Sequence, residues 1–150
     1  MTDDAAMRGR LRALFNSQRY AVLATDDCGQ PFTSLMAFAA TDDLRHLVIL
    51  SDRNTRKFAN LAVNRRVALL VDDRGNKTTD TRESIAVTAL GRAVAADADN
   101  RDALARLFLA RHPGLADFAA TPDCAVVRVD VSRYLLVEQF EHTIEWRPDA

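Results

Sequence analysis

SDRNTRKFANL, residues 51–61, is the stretch that decides how this chain is read. From Thr55 the pattern is helical. Phe58, Leu61 and Ala62 recur at helical spacing, and Asn54 or Thr55 suits the cap position, so a helix is predicted over 55–65. Yet Arg53, Arg56 and Lys57 crowd its first turn. That end of a helix already carries about half a positive charge, and each added cation costs roughly 0.3–1 kcal/mol there. One account is a solvated basic face, with the arginines swung onto acids such as Asp52. The other is an anion site. The helix follows directly on the apolar strand HLVILS (46–51), so its start lies at a sheet end. Ser51 and Thr55 add hydroxyls beside the bases, and the first turn of a helix has unpaired N–H groups. A bound phosphate would turn the misplaced cations into stabilising ones.

Outward from this stretch the chain reads as strands joined by short turns. Residues 3–18 form an amphipathic helix with Met7, Leu11, Leu14 and Phe15 on one face. Strands are predicted over 20–25 and 32–40, joined by the turn DDCGQP (26–31), then over 46–51 and 67–73. Residues 72–84 lack any large apolar side chain and read as a solvated loop. A long strand over 84–97 follows, with Gly91 inside it as the mark of a bulge or bend. A helix over 99–114 is capped near Asp99, stopped by Pro113 and Gly114, and buries Ala103, Leu104, Leu107 and Phe108. The last long strand spans 124–140, and the tail from Glu141 extends it or pairs as another short strand. The expected fold is therefore α+β but mainly β: one domain over 1–150, a six-stranded antiparallel barrel with about three helices over its ends.

Composition narrows the function. The 150 residues are 48% hydrophobic with formal net charge −1, which offers no electrostatic footprint for nucleic acid. The apolar runs are strand-sized, so no membrane-spanning segment is expected, and the acidic-then-basic start MTDDAAMRGR has no apolar signal core. A cytoplasmic protein is expected. Cys28 and Cys124 read as incidental or buried thiols. Neither GxxxxGK[ST] nor GxGxxG occurs, no serine sits in a nucleophile elbow, and His46, His112 and His142 have no neighbour at metal-ligand spacing. No metal site is expected, and no side chain stands out as a catalytic acid or base.

GQPFTSLMAFAA, then LVILSD, then TRKFANLAVNRRVALLVDD, resembles the FMN-binding split barrel of pyridoxamine 5′-phosphate oxidase and its relatives. The resemblance covers about residues 10 to 97 and is looser beyond. It implies a split barrel with FMN as cofactor. Thr33, Ser34, Leu35 and Met36 would line the flavin, Leu50 and Ser51 would reach the ribityl chain and phosphate, and Thr55, Arg56 and Lys57 would hold the phosphate. It also implies a homodimer with FMN at the interface. Ser34 and Ala39 stand where the oxidase itself has arginine and lysine, and its C-terminal substrate-binding arginine and histidine have no counterpart after Trp146. These departures argue against pyridoxamine phosphate oxidation and toward the short branch of the family. The function implied is an FMN-dependent oxidoreductase of unnamed substrate. The alternatives are a flavin-binding protein for storage or sensing, a relative of the haem-utilisation branch, or a dimer whose basic pocket takes some other phosphate.

Overall fold

Cys28 and Gly29 alone make the first hairpin turn, both in the left-handed region with φ of 53° and 93°. Two residues with positive φ close a hairpin in the sense that matches strand twist. The Asp26 carboxylate accepts the Gly29 amide at 2.9 Å and braces the turn. The strands therefore run further into DDCGQP than composition suggests: β1 is Tyr20–Asp27 and β2 is Gln30–Ala37. Pro31 is tolerated because β2 is an edge strand.

The computed structural model describes residues 3–139 and 141–148. Beyond β2 come β3 (Ala39–Ala40), β4 (His46–Asp52), α2 (Arg56–Val63), β5 (Arg66–Asp72), α3 (Asp80–Glu83) and β6 (Ala86–Ala95). Then follow α4 (Arg101–Arg111), a 3₁₀ turn at Pro113–Leu115, α5 (Ala116–Ala119), β7 (Cys124–Glu138) and β8 (His142–Trp146). The first helix, α1, is Asp4–Ser17, with the Asp3 side chain accepting the Ala5 amide as its cap. The described residues thus hold eight strands and five helices where six and three were expected. The expected end of the last long strand at Phe140 lies outside the described residues.

All the strands pair antiparallel in the order β2-β1-β5-β6-β7-β4-β3. β8 lies off this path beside the second half of β7, whose first half pairs with β4. The two edges, β2 and β3, are consecutive in the chain, with only Phe38 between them. The sheet must curl until its edges meet at that residue, and beyond it they part. This split replaces the single strand expected over 32–40. Phe38 is fully buried. Its amide donates to the Arg19 carbonyl at 3.4 Å, and its carbonyl bonds His112 Nε2 at 2.7 Å.

The barrel interior is filled by Met7, Leu11, Leu14 and Phe15 of α1 against inward residues such as Leu23, Leu69, Val87 and Val127. Tyr134 crosses it, its hydroxyl donating to the Leu44 carbonyl at 2.7 Å. A second apolar layer joins Val48, Leu50, Cys124 and Val126 to Phe108 and Ala119 outside the barrel. This explains why β4 reads as an unbroken apolar run: Leu47 and Ile49 face inward while Val48 and Leu50 lie under α4 and α5.

Several local expectations are corrected by packing. α4 stops at Arg111, because the residue before Pro113 is driven out of helical geometry. Its start is held not by Asp99 but by Asp97, which accepts the amides of Asp99 and Asn100. Ala103 faces solvent, and only Phe108 is fully buried on that helix. The 72–84 loop contains α3, where the Asp80 carboxylate accepts the amides of Gly75 and Lys77. Those bonds hold its carboxyl below the ordinary value. Gly91 does mark a bulge, since the β6–β7 register shifts between Leu90 and Gly91. Cys28 is exposed and Cys124 buried, both free thiols. No described helix is long and apolar enough to cross a membrane.

Candidate functional site

β4 ends at the split in the barrel, and the chain turns there into α2. Asp52 organises the turn. Its carboxylate accepts the Asn54 amide at 2.8 Å, and its carbonyl accepts the Thr55 hydroxyl at 2.7 Å. Thr55 is extended (ψ 156°) and caps α2, its Oγ1 accepting the Phe58 amide at 3.4 Å. The amides of Arg56 and Lys57 find no partner among the described residues, as the geometry of a helix start requires.

α2 is shorter than expected and rotated from its expected face. Leu61 is buried and Phe58 half-buried, but Ala62 is exposed. Asn60 takes the inward position instead, donating from Nδ2 to Thr25 Oγ1 at 3.0 Å, and Asn64 reaches Asp26 at 3.4 Å. Polar pairing to β1, which an apolar count cannot register, sets the rotation.

A cleft of about 290 Å³ opens between β2, the end of β4, the start of α2 and the α4–α5 corner. Six of the nine residues expected at a flavin site line it: Leu35, Met36, Leu50, Ser51, Thr55 and Lys57. Thr33 and Ser34, earlier on the edge strand, do not. Nor does Arg56, which leans toward Asp27 at 3.8 Å and is 64% exposed. Arg53 lies outside too, its guanidinium 5.8 Å from the Phe58 ring centroid. No described arginine pairs with Asp52; of the bases at this helix start, Arg56 swings to a different nearby acid, Asp27.

The cleft has two unlike ends. Ser51, Thr55 and Lys57 supply hydroxyls and a cation beside the two free amides. Ser51 is 1% exposed, and its hydroxyl lies 3.3 Å from the Asp52 carbonyl and 3.4 Å from Thr55 Oγ1. Both distances are long for O–H···O bonds, so its donor has capacity to spare. Asp52 is the one carboxylate lining the cleft. The other end is walled by Phe108, Leu115 and Phe118. Sequence reasoning missed this wall: Phe108 was read only as core, and nothing in its spacing tells which side of β4 the helix covers.

The three histidines are engaged elsewhere. His112 caps α4, packs at a tilt against the Phe108 ring with centroids 4.7 Å apart, and bonds the Phe38 carbonyl. His46 bonds Asp130 at 2.9 Å, and His142 lies 3.5 Å from Glu138. No group of potential metal ligands gathers among the described residues.

A curled antiparallel half-barrel, split between consecutive strands with the start of α2 at the opening, defines the class. A family model described as pyridoxamine 5′-phosphate oxidase matches residues 7–138, and the chain belongs to that family. Solved structures share the fold. A heme binding protein from Mycobacterium smegmatis aligns with TM-score 0.84 at 19% identity, over 99% of this chain and 60% of its own. General stress protein 26 from Bacillus anthracis aligns with TM-score 0.72 at 15% identity, over 94% of this chain and 98% of its own. A FAD-binding protein from Mesorhizobium loti aligns with TM-score 0.67 at 18% identity, over 85% and 91%. The chain thus spans about three fifths of the length of the heme binding protein. No curated protein sequence matches it.

Proposed function

We propose that this protein binds FMN in the cleft and serves as a flavin-dependent oxidoreductase. The observation that carries the reading is the cleft's polarity. One end offers Lys57, the Ser51 and Thr55 hydroxyls and two free helix amides, which suit a phosphate. The other end offers Phe108, Leu115 and Phe118, which suit an apolar ring. Bound flavin would supply the electron or hydride transfer. The chain's own part is to hold the phosphate, orient the ring along β2 and keep water from one side of it. No described side chain in the cleft is placed as an obvious acid or base, so the substrate class rests on what the flavin can reduce or oxidise.

A cleft of about 290 Å³ is at the small end of ligand sites, which run to roughly 300–1,000 Å³. Part of an FMN molecule must lie outside it, against Leu35, which is 73% exposed. Leu35 pairs with Val22, and Val22 with Leu70, so all three share the outer face of the sheet. An exposed apolar stripe next to an incomplete cleft favours a second copy of this chain as its cover, giving a homodimer with flavin at the interface. Light scattering at micromolar concentration should give twice the chain mass; a monomer counts against the shared site.

The purified protein should be yellow, and the mass of the cofactor released on denaturation should be that of FMN. A colourless protein that also fails to quench FMN fluorescence in titration would sink the flavin reading and leave some other phosphate. Reduction by NADH or NADPH and reoxidation by an added acceptor would separate an oxidoreductase from a storage or sensing protein. The haem alternative has support in the name of one structural neighbour, but no histidine lines the cleft.

A further inference from the structure

His112 is a titratable side chain that is only 8% exposed and does not itself line the cleft. Its Nε2 lies 2.7 Å from the Phe38 carbonyl oxygen. A carbonyl only accepts, so Nε2 carries the proton and donates it. The ring also packs at a tilt against Phe108, one helical turn back, with centroids 4.7 Å apart.

These two contacts join opposite walls of the cleft. Phe108 belongs to the apolar wall, as do Leu115 and Phe118 just after His112. The turn between them starts from His112, whose carbonyl accepts the Leu115 amide at 3.0 Å. Phe38 stands at the split in the barrel, next to Leu35, Met36 and Ala37 of the β2 wall. Among the described residues no other hydrogen bond ties the helical segment 101–119 to β2 or β3. Arg111 donates to the Gln18 carbonyl at 2.7 Å, and Arg101 donates to the Ala119 carbonyl within the segment. The remaining contact between the walls is apolar, through Ala37 against the layer that holds Phe108. Such packing fixes no direction, whereas a hydrogen bond does.

We propose that His112 is a positioning residue of the cleft, holding the aromatic wall at a fixed distance from β2 so that a planar ring fits between them. The inference rests on the flavin reading for the identity of that ring. Lys57 and the helix amides govern the phosphate end, and His112 governs the ring end. Losing the bond leaves the buried Phe38 carbonyl without its partner and frees the wall to shift.

Two variants separate the bond from the bulk of the side chain. His112→Gln keeps an N–H donor near the position of Nε2, and His112→Leu keeps apolar volume without a donor. FMN and riboflavin are titrated by fluorescence quenching, and the Met36 methyl signal of each apoprotein is recorded by ¹H–¹³C NMR. Met36 lines the cleft and is buried. His112→Leu should bind both flavins at least about tenfold more weakly, by the same factor, with the Met36 signal displaced. His112→Gln should stay within about threefold of wild type for both, with the Met36 signal in place. Equal losses in the two variants, a loss confined to FMN, or undiminished riboflavin binding by His112→Leu would each overturn the proposal. If wild type binds neither flavin, the flavin reading fails and Met36 alone decides: an unmoved signal in His112→Leu overturns the positioning role. The wild-type protein supplies a check that needs no variant. The His112 ¹⁵N spectrum should show Nε2 protonated and Nδ1 bare, and saturating riboflavin should slow exchange of the Nε2 proton. The opposite tautomer, or exchange unchanged by bound riboflavin, would overturn the proposal.

Discussion

Gly91→Ala is expected to lower the unfolding free energy by about 3 kcal/mol or more, though it adds a single methyl. A Cβ at this position would run into the Asp130 backbone carbonyl and come within 3.1 Å of Val129 Cγ1. Overpacking costs roughly 1–3 kcal/mol where side chains can give way. Here the obstacle is backbone, so β6 and β7 themselves must part, and they do so at the bulge that sets Arg92 against Asp130 and Ala93 against Val129. Ala89, Ala93, Val127 and Val129 all pack inside the barrel from these two strands, so the shift spreads into the core. Gly9→Ala is the control. It lies on the exposed face of α1 with nothing within 4 Å of a new Cβ, and it should stabilise by about 0.5–1 kcal/mol. Urea unfolding of both variants measures the contrast. A loss below about 1 kcal/mol for Gly91→Ala would show that the bulge is pliant rather than locked.

The bulge was readable because a glycine inside an alternating strand has few other meanings. The helix start at Thr55 was readable for a similar reason: Asp52, Asn54 and Thr55 form a run of capping residues ahead of an apolar repeat. Other features depended on partners remote in the chain. The break at Phe38 is invisible in FTSLMAFAA because it is made by the Arg19 carbonyl and by His112, more than seventy residues away. Ala62 and Asn60 exchanged roles because Thr25 offers a buried hydroxyl to Asn60. The aromatic wall of the cleft depends on which side of β4 the α4–α5 corner covers, and β4 is apolar on both faces. The divergence of Arg56 from Lys57 was legible in principle. Adjacent helical residues point about 100° apart, so the two were not both going to face one cleft at rest.

That divergence sharpens the test of the phosphate assignment. Lys57 already lines the cleft, while Arg56 rests 3.8 Å from Asp27 in an exposed contact. Such a pair contributes little stability, so a dianion arriving at the helix start competes with it easily. Lys57→Ala should therefore weaken FMN binding by at least about tenfold, and the double change Arg56→Ala, Lys57→Ala by at least about a hundredfold. These follow from losing one and two charge-assisted contacts of about 1.5–3 kcal/mol each, at 1.4 kcal/mol per tenfold. Arg56→Ala alone distinguishes an arginine that moves to the phosphate from one that stays with Asp27, since only the first lowers affinity. Riboflavin lacks the phosphate and should bind every variant as it binds wild type, which ties any loss to that group. Without ligand the double variant should melt no lower than the wild-type apoprotein. Each cation removed from a helix start relieves about 0.3–1 kcal/mol of unfavourable interaction with the macrodipole. Flavin titration by fluorescence quenching, with thermal melts of both apoproteins, supplies all the readings. If FMN binds the double variant as tightly as wild type, Arg56 and Lys57 are a solvated face, and the phosphate must be sought elsewhere.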